Sequence, residues 1–84
     1  MSPAKVHVTV PDLSGVQRVL TLLTGRGYPL TRFEAEEAGA GCWRVSIDTL
    51  VGADDAELLE ARLNRLPAVL SVDLRRSAVL SAVG

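Results

Sequence analysis

Reactive side chains are sparse in this chain, and each can be weighed singly. There is one histidine, His7, and one cysteine, Cys42. His7 lies among alternating valines, on the polar side of the run, with no loop partner nearby in sequence. A general base must sit within hydrogen-bond reach of the proton it takes; a surface strand residue needs no such partner, and that is how His7 reads. Cys42 follows a glycine turn. A nucleophilic thiol needs a neighbouring base and a lowered pKa, and without them Cys42 reads as a small, partly buried apolar residue. Glu34, Glu36 and Glu37 lack the ligand spacing of a carboxylate cage and read as a solvated strand and turn. The stretch Asp12-Leu13-Ser14-Gly15, running into Val16, has more to offer. The free N–H groups of a helix start favour an anion. A free amino acid suits them, with the N–H groups of Ser14, Gly15 and Val16 on its carboxylate and Asp12 beside its ammonium. The same residues also fit an ordinary capped helix start.

The elements that must position this loop follow from periodicity. Val6, Val8 and Val10 alternate with Lys5, His7 and Thr9, the pattern of a half-buried strand that Pro11 ends. Val16, Val19, Leu20 and Leu23 then recur at helical spacing. Ser14 and Gln17 have capping-box spacing, which predicts a helix start at Ser14. Asp12 then stands before the cap, where its removal leaves folding nearly unchanged. Gly25 and Gly27 end the helix. A second strand from Leu30 to Glu36 puts Thr31, Phe33 and Ala35 on one face and Arg32, Glu34 and Glu36 on the other. Ala38 to Gly41 form a turn. Trp43, Val45 and Ile47 alternate with Arg44, Ser46 and Asp48 in a third strand, closed by Gly52. Asp54 or Asp55 caps a second helix, with Glu57 in its first turn and Ala56, Leu59, Leu63 and Leu66 as its apolar face. Pro67 stops it. Leu70, Val72 and Leu74 mark a fourth strand, and residues 77–84 a short tail.

The order β-α-β-β-α-β, with one apolar face per element, predicts an α+β fold, the ferredoxin-like plait. Four antiparallel strands carry both helices on one face, and right-handed crossovers set the order 4-1-3-2. Val8, Val10, Val19, Leu23, Trp43, Val45, Ile47, Leu59, Leu63 and Val72 should share one core. The other face interleaves both charge signs, which favours solvent or a polar partner.

Many activities use this plait, so the residues must choose among them. A soft-metal carrier needs paired cysteines. Acylphosphatase chemistry needs an arginine in the first loop and an asparagine on a strand; the first loop has no arginine, and Asn64 falls on a helix. RNA-binding plaits stack bases on aromatics of the central strands. Here the exposed central positions are His7, Arg44 and Ser46. Eighty-four residues make one small domain, with a core at about 5–75, and the net charge of -1 gives no support to a nucleic-acid or membrane-surface role. A single cysteine fits a reducing, cytoplasmic setting. No segment has the length of a bilayer span, and MSPAKVHV lacks a signal-peptide apolar core.

Arg18-Val19, Leu22-Leu23 and Arg26-Gly27-Tyr28 resemble the pattern of the ACT domain, a regulatory module of amino-acid metabolism, in which a helix runs into a basic residue, a glycine and an aromatic. Within that family the chain is most similar to the short small subunits of acetolactate synthase. The resemblance covers about residues 5–75 by layout, and only 12–30 is motif-like. It implies a non-catalytic regulatory subunit without a cofactor. It further implies a homodimer that binds a free amino acid between subunits and acts on a catalytic large subunit of branched-chain amino-acid synthesis. The implied site joins Asp12, Leu13, Ser14 and Gly15, with Val16, to Tyr28, Pro29 and Leu30 of the neighbouring subunit. The chain departs from the pattern at both walls. The family has Pro-Gly before the helix, and counting back from Gly27 puts Leu13 and Ser14 there, with Gly15 one residue late. Pro29 stands where a polar residue is common, and it lacks an N–H. These departures leave a second reading open, a docking module that binds no effector.

Overall fold

Strand β1 (Ser2–Val10) is the centre of the sheet. The computed structural model describes residues 2–39 and 41–76; the expected tail at 77–84 lies outside them. Helix α1 (Leu13–Gly25) follows, then β2 (Leu30–Glu37), β3 (Trp43–Val51), helix α2 (Ala53–Asn64) and β4 (Ser71–Arg76). The sheet order is β2-β3-β1-β4 with every pairing antiparallel, the expected 4-1-3-2 read from the opposite edge. Alternation decides which face is dry. Val6, Val8 and Val10 of β1 and Val45, Ile47 and Val51 of β3 are buried with Val19 and Leu23 of α1 and Leu59 and Leu63 of α2. Both helices therefore cover the same face. Trp43 and Val72, expected in the core, are partly buried against it, as are Phe33 and Leu74.

The start of α1 differs from the expected capping box. Asp12, not Ser14, is the N-cap: its backbone is extended and its carboxylate accepts the Gly15 N–H at 3.0 Å. Ser14 Oγ donates to the same carboxylate at 2.7 Å. Aspartate is among the best N-caps, and the chain leaves β1 at Pro11, so Asp12 is the first residue placed to cap. Gly15 is then inside the helix, and it is buried. A Cβ built on it would lie 2.7 Å from Cβ of Val10. Gly15 is thus a close-approach residue that seats α1 on the end of β1. The far end of α1 closes as a Schellman turn, with Gly27 at φ 77°. Tyr28 N–H reaches Leu23 O at 3.0 Å and Gly27 N–H reaches Thr24 O at 3.2 Å.

Three further expectations are revised. Gly52, not Asp54 or Asp55, is the N-cap of α2, without a side-chain cap bond. Asp54 and Asp55 lie inside the first turn, where their charge meets the positive end of the helix. In β2 the register shifts between Leu30 and Arg32, a bulge at Thr31. It turns Leu30, rather than Thr31, to the core side, and Thr31 Oγ1 donates to Asp48 O at 3.1 Å. Leu70 precedes β4 and is exposed, although its N–H donates to Thr9 O at 2.8 Å.

Leu63→Ala should cost about 2–5 kcal/mol, as for other fully buried leucines. Gly15→Ala should cost about 1–3 kcal/mol by overpacking, although alanine is the better helix former. Urea denaturation midpoints check both, and an unchanged midpoint for Gly15→Ala means that α1 does not press on Val10.

Candidate functional site

The expected anion loop is built, but much of its donor capacity is already used. The Gly15 N–H is shared between the carbonyl and the carboxylate of Asp12. The hydrogen bonds from Ser14 and Gly15 hold the Asp12 carboxyl below its ordinary value, with a smaller contribution from Arg18. Asp12 is therefore an anion engaged in closing its own helix. Leu13 is 56% exposed beside it, and Val16 is buried.

The residues expected to form the other wall lie at the opposite end of α1. The helical residues 17–25 separate the two groups, about 14 Å at about 1.5 Å each, so one protomer does not bring them together. Tyr28 and Pro29 are also engaged internally. The Tyr28 N–H is held by Leu23 O, and its hydroxyl accepts from Arg62 Nη1 at 3.3 Å. Thr49, the buried polar residue of the core, donates its hydroxyl to Pro29 O. Leu30 packs against the core.

The open sheet face sets side chains in cross-strand rows. One row is Arg32, Asp48, Lys5 and Arg75; the next is Glu34, Ser46, His7 and Asp73; the third is Glu36, Arg44, Thr9 and Ser71. His7 Nδ1 lies 3.3 Å from Ser46 Oγ. The carboxylates of that row have cationic partners, Asp73 with Arg75 at 3.3 Å and Glu34 with Arg32 at 2.7 Å. Among the described residues no group of three His, Cys, Asp or Glu could hold a metal. No helix there is long and apolar enough to cross a membrane.

Sequence reasoning missed a recess of about 280 Å³ between the turn after α1 and α2, lined in part by Arg26, Tyr28, Pro29, Asp55, Leu58 and Arg62. The Arg26-Gly27-Tyr28 run marked one wall, but nothing local paired it with Arg62.

No family model and no curated protein matches this chain. Solved structures do. The acetolactate synthase small subunit of Thermotoga maritima superposes with a TM-score of 0.76 at 22% identity, covering 88% of this chain and 47% of that one. This chain thus spans about half of that subunit. The C-terminal domain of the MgtC protein from Mycobacterium tuberculosis gives 0.72 at 18% identity, covering 99% and 95%. The ACT domain of the Chlorobium tepidum GTP pyrophosphokinase gives 0.73 at 15% identity, covering 87% and 84%. At these identities the likeness is one of fold: the chain is a ferredoxin-like plait. More narrowly, its fold is like that of the ACT domains among those structures.

The Asp12 cap carries a pH signature. Its folded pKa is depressed, so its contribution to stability is present above the unfolded pKa and is lost as pH falls through the folded one. Carboxyl NMR titration should place the Asp12 midpoint below the usual aspartate range, and Ser14→Ala should raise it. An unchanged midpoint in Ser14→Ala would show that the serine hydroxyl does not hold the carboxylate.

Proposed function

We propose that this chain is a non-catalytic regulatory module that works as a symmetric pair, binds a small amino acid between the two copies, and acts on a catalytic partner such as acetolactate synthase. The observation that carries the reading is an exposed apolar flank beside an unpaired strand edge. Among the described residues β2 pairs only with β3, which leaves its outer edge open there. On α1, Leu22 and Arg18 line a groove with Leu66, which marks the flank toward α2. At about 100° per residue, Leu13 and Leu20 fall on the opposite flank, toward β2. They are 56% and 38% exposed. A second copy placed by a two-fold axis perpendicular to the sheet, beside β2, covers that flank and continues the sheet.

In the proposed pair the two walls of the site meet. A two-fold axis sets the two α1 helices antiparallel, so Asp12, Leu13, Ser14, Gly15 and Val16 of one protomer approach Tyr28, Pro29 and Leu30 of its partner. A ligand that favours one arrangement of the pair then shifts the catalytic partner by its differential affinity. The reading needs no cofactor, nucleic acid or membrane, and it suits a cytoplasmic setting. A second reading, a docking module without an effector, draws on the donors already used at Gly15 and Tyr28 and on the N–H missing at Pro29.

Light scattering at high micromolar concentration should give a dimer mass, and Leu20→Asp should shift it toward monomer. A monomeric wild type overturns the first reading. Calorimetry with valine, leucine and isoleucine separates it from the second. Binding at millimolar concentration or below, weakened about tenfold or more (at least 1.4 kcal/mol) by Asp12→Ala, supports the effector site. A dimer that binds none of the three leaves the docking module. Asp12→Ala should also lower the melting temperature, since Asp12 is the cap; the binding comparison belongs well below it.

A further inference from the structure

The recess between the α1–β2 turn and α2 is a site of its own within one protomer. Arg62, in the last turn of α2, is partly buried, and its guanidinium donates to the neutral Tyr28 hydroxyl. A guanidinium has five donors, so most of its capacity is unspent. Arg26 lines the same recess from the turn after α1. The ion pairs among the described residues all lie on the open sheet face, at Lys5–Asp48, Arg32–Glu34 and Arg75–Asp73. Neither Arg26 nor Arg62 has an ion-pair partner there. A partly desolvated cation without a counter-charge favours an anion.

The rest of the recess narrows what that anion is. Asp55, Leu58 and Arg62 stand at i, i+3 and i+7 on one face of α2, so Asp55 lies about 10 Å from Arg62 along the axis. The recess is basic at one end and acidic at the other. Between them sit Leu58, 43% exposed, and Pro29. The Tyr28 hydroxyl accepts from Arg62, which leaves its proton free to donate. We infer that this recess binds a small aliphatic monocarboxylate. The carboxylate lies on the Arg62 guanidinium, assisted by Arg26 and the Tyr28 hydroxyl. The hydrocarbon body lies on Leu58 and Pro29. Asp55 repels a second anionic group, which disfavours nucleotides and other polyanions; the ammonium of an α-amino acid stays beside its own carboxylate, at the basic end, and does not reach Asp55. The site needs no second copy of the chain, so it does not depend on the dimer reading.

Amide NMR of the full chain, titrated separately with isovalerate, valine and inorganic phosphate, tests this. Saturable shifts at Tyr28, Leu58 and Arg62 are expected with isovalerate at millimolar concentration, and weaker binding with valine, whose ammonium would face Arg26 and Arg62, and with phosphate. Arg62→Gln should weaken isovalerate about tenfold and Tyr28→Phe by less, each with an otherwise native spectrum; if Arg62→Gln does not fold, Arg26→Gln takes its place. Leu20→Asp, which breaks the proposed dimer, should leave the affinity unchanged, so failure of the dimer and failure of this site are read separately. Shifts confined to residues 12–16, equal response to phosphate, or no saturable shift overturns the inference.

Discussion

The contact between Val10 and Gly15 decides how the two layers meet. Val10 is the last residue of the central strand and is fully buried. Gly15 sits on it closely enough that any Cβ would collide. That contact puts α1 directly against the end of β1, leaving only Pro11 and Asp12 between the two elements. A connection so short must satisfy the helix N-terminus from its own residues, and Asp12 does so through its carbonyl and its carboxylate. The close packing and the partial loss of anion-binding capacity are thus one fact. A ligand carboxylate at this loop must use the donors that Asp12 leaves.

Where one element's own pattern settled its structure, the sequence was enough. The valines of β1 and the stripe Ala56, Leu59 and Leu63 on α2 lie where alternation and helical spacing put them, because a wrong register would expose every one of them. The Arg26-Gly27-Tyr28 run became the Schellman turn its glycine implied. The misses have a different origin. Asp12 and Ser14 are both good caps, and capping rules do not rank them; the seating of Gly15 on Val10 does. The bulge at Thr31 is invisible to an alternation count, since it arises where the turn after α1 hands the chain to β2. The site shows the same split. Asp12 to Val16 are neighbours in sequence and were legible together, although Gly15 read as a loop glycine. The Arg62–Tyr28 bond joins residues 34 apart, and only the packing of α2 against the turn creates it.

The charged face of the sheet shows what the two-layer fold leaves over. Its rows place Lys5 opposite Asp48 and Glu36 opposite Arg44, and His7 opposite Ser46 and Asp73. The shortest ion pair there, Arg32 to Glu34, joins well-exposed side chains, and such pairs contribute little to stability. Their effect is on solubility and partner choice: a mixed-sign face resists apolar packing. Apolar surface is left instead on the helix flanks, where Leu13 and Leu20 are exposed.

Helix α1 then connects everything that can bind. Its N-terminal end carries the loop at Asp12, its outer flank carries Leu13 and Leu20, and its C-terminal turn forms one wall of the Arg62 recess. The helix is closed at both ends, by the Asp12 cap and by the Schellman turn, and seated on β1 by a contact that allows no Cβ. Such an element moves as a unit. A ligand at Arg62 that shifts the α1–β2 turn must shift the start of β2, and with it the edge on which a second copy is proposed to pair. If occupancy of the recess changes the strength of pairing, linkage requires pairing to change the affinity of the recess by the same factor. The unchanged affinity expected of Leu20→Asp corresponds to zero coupling between the recess and pairing.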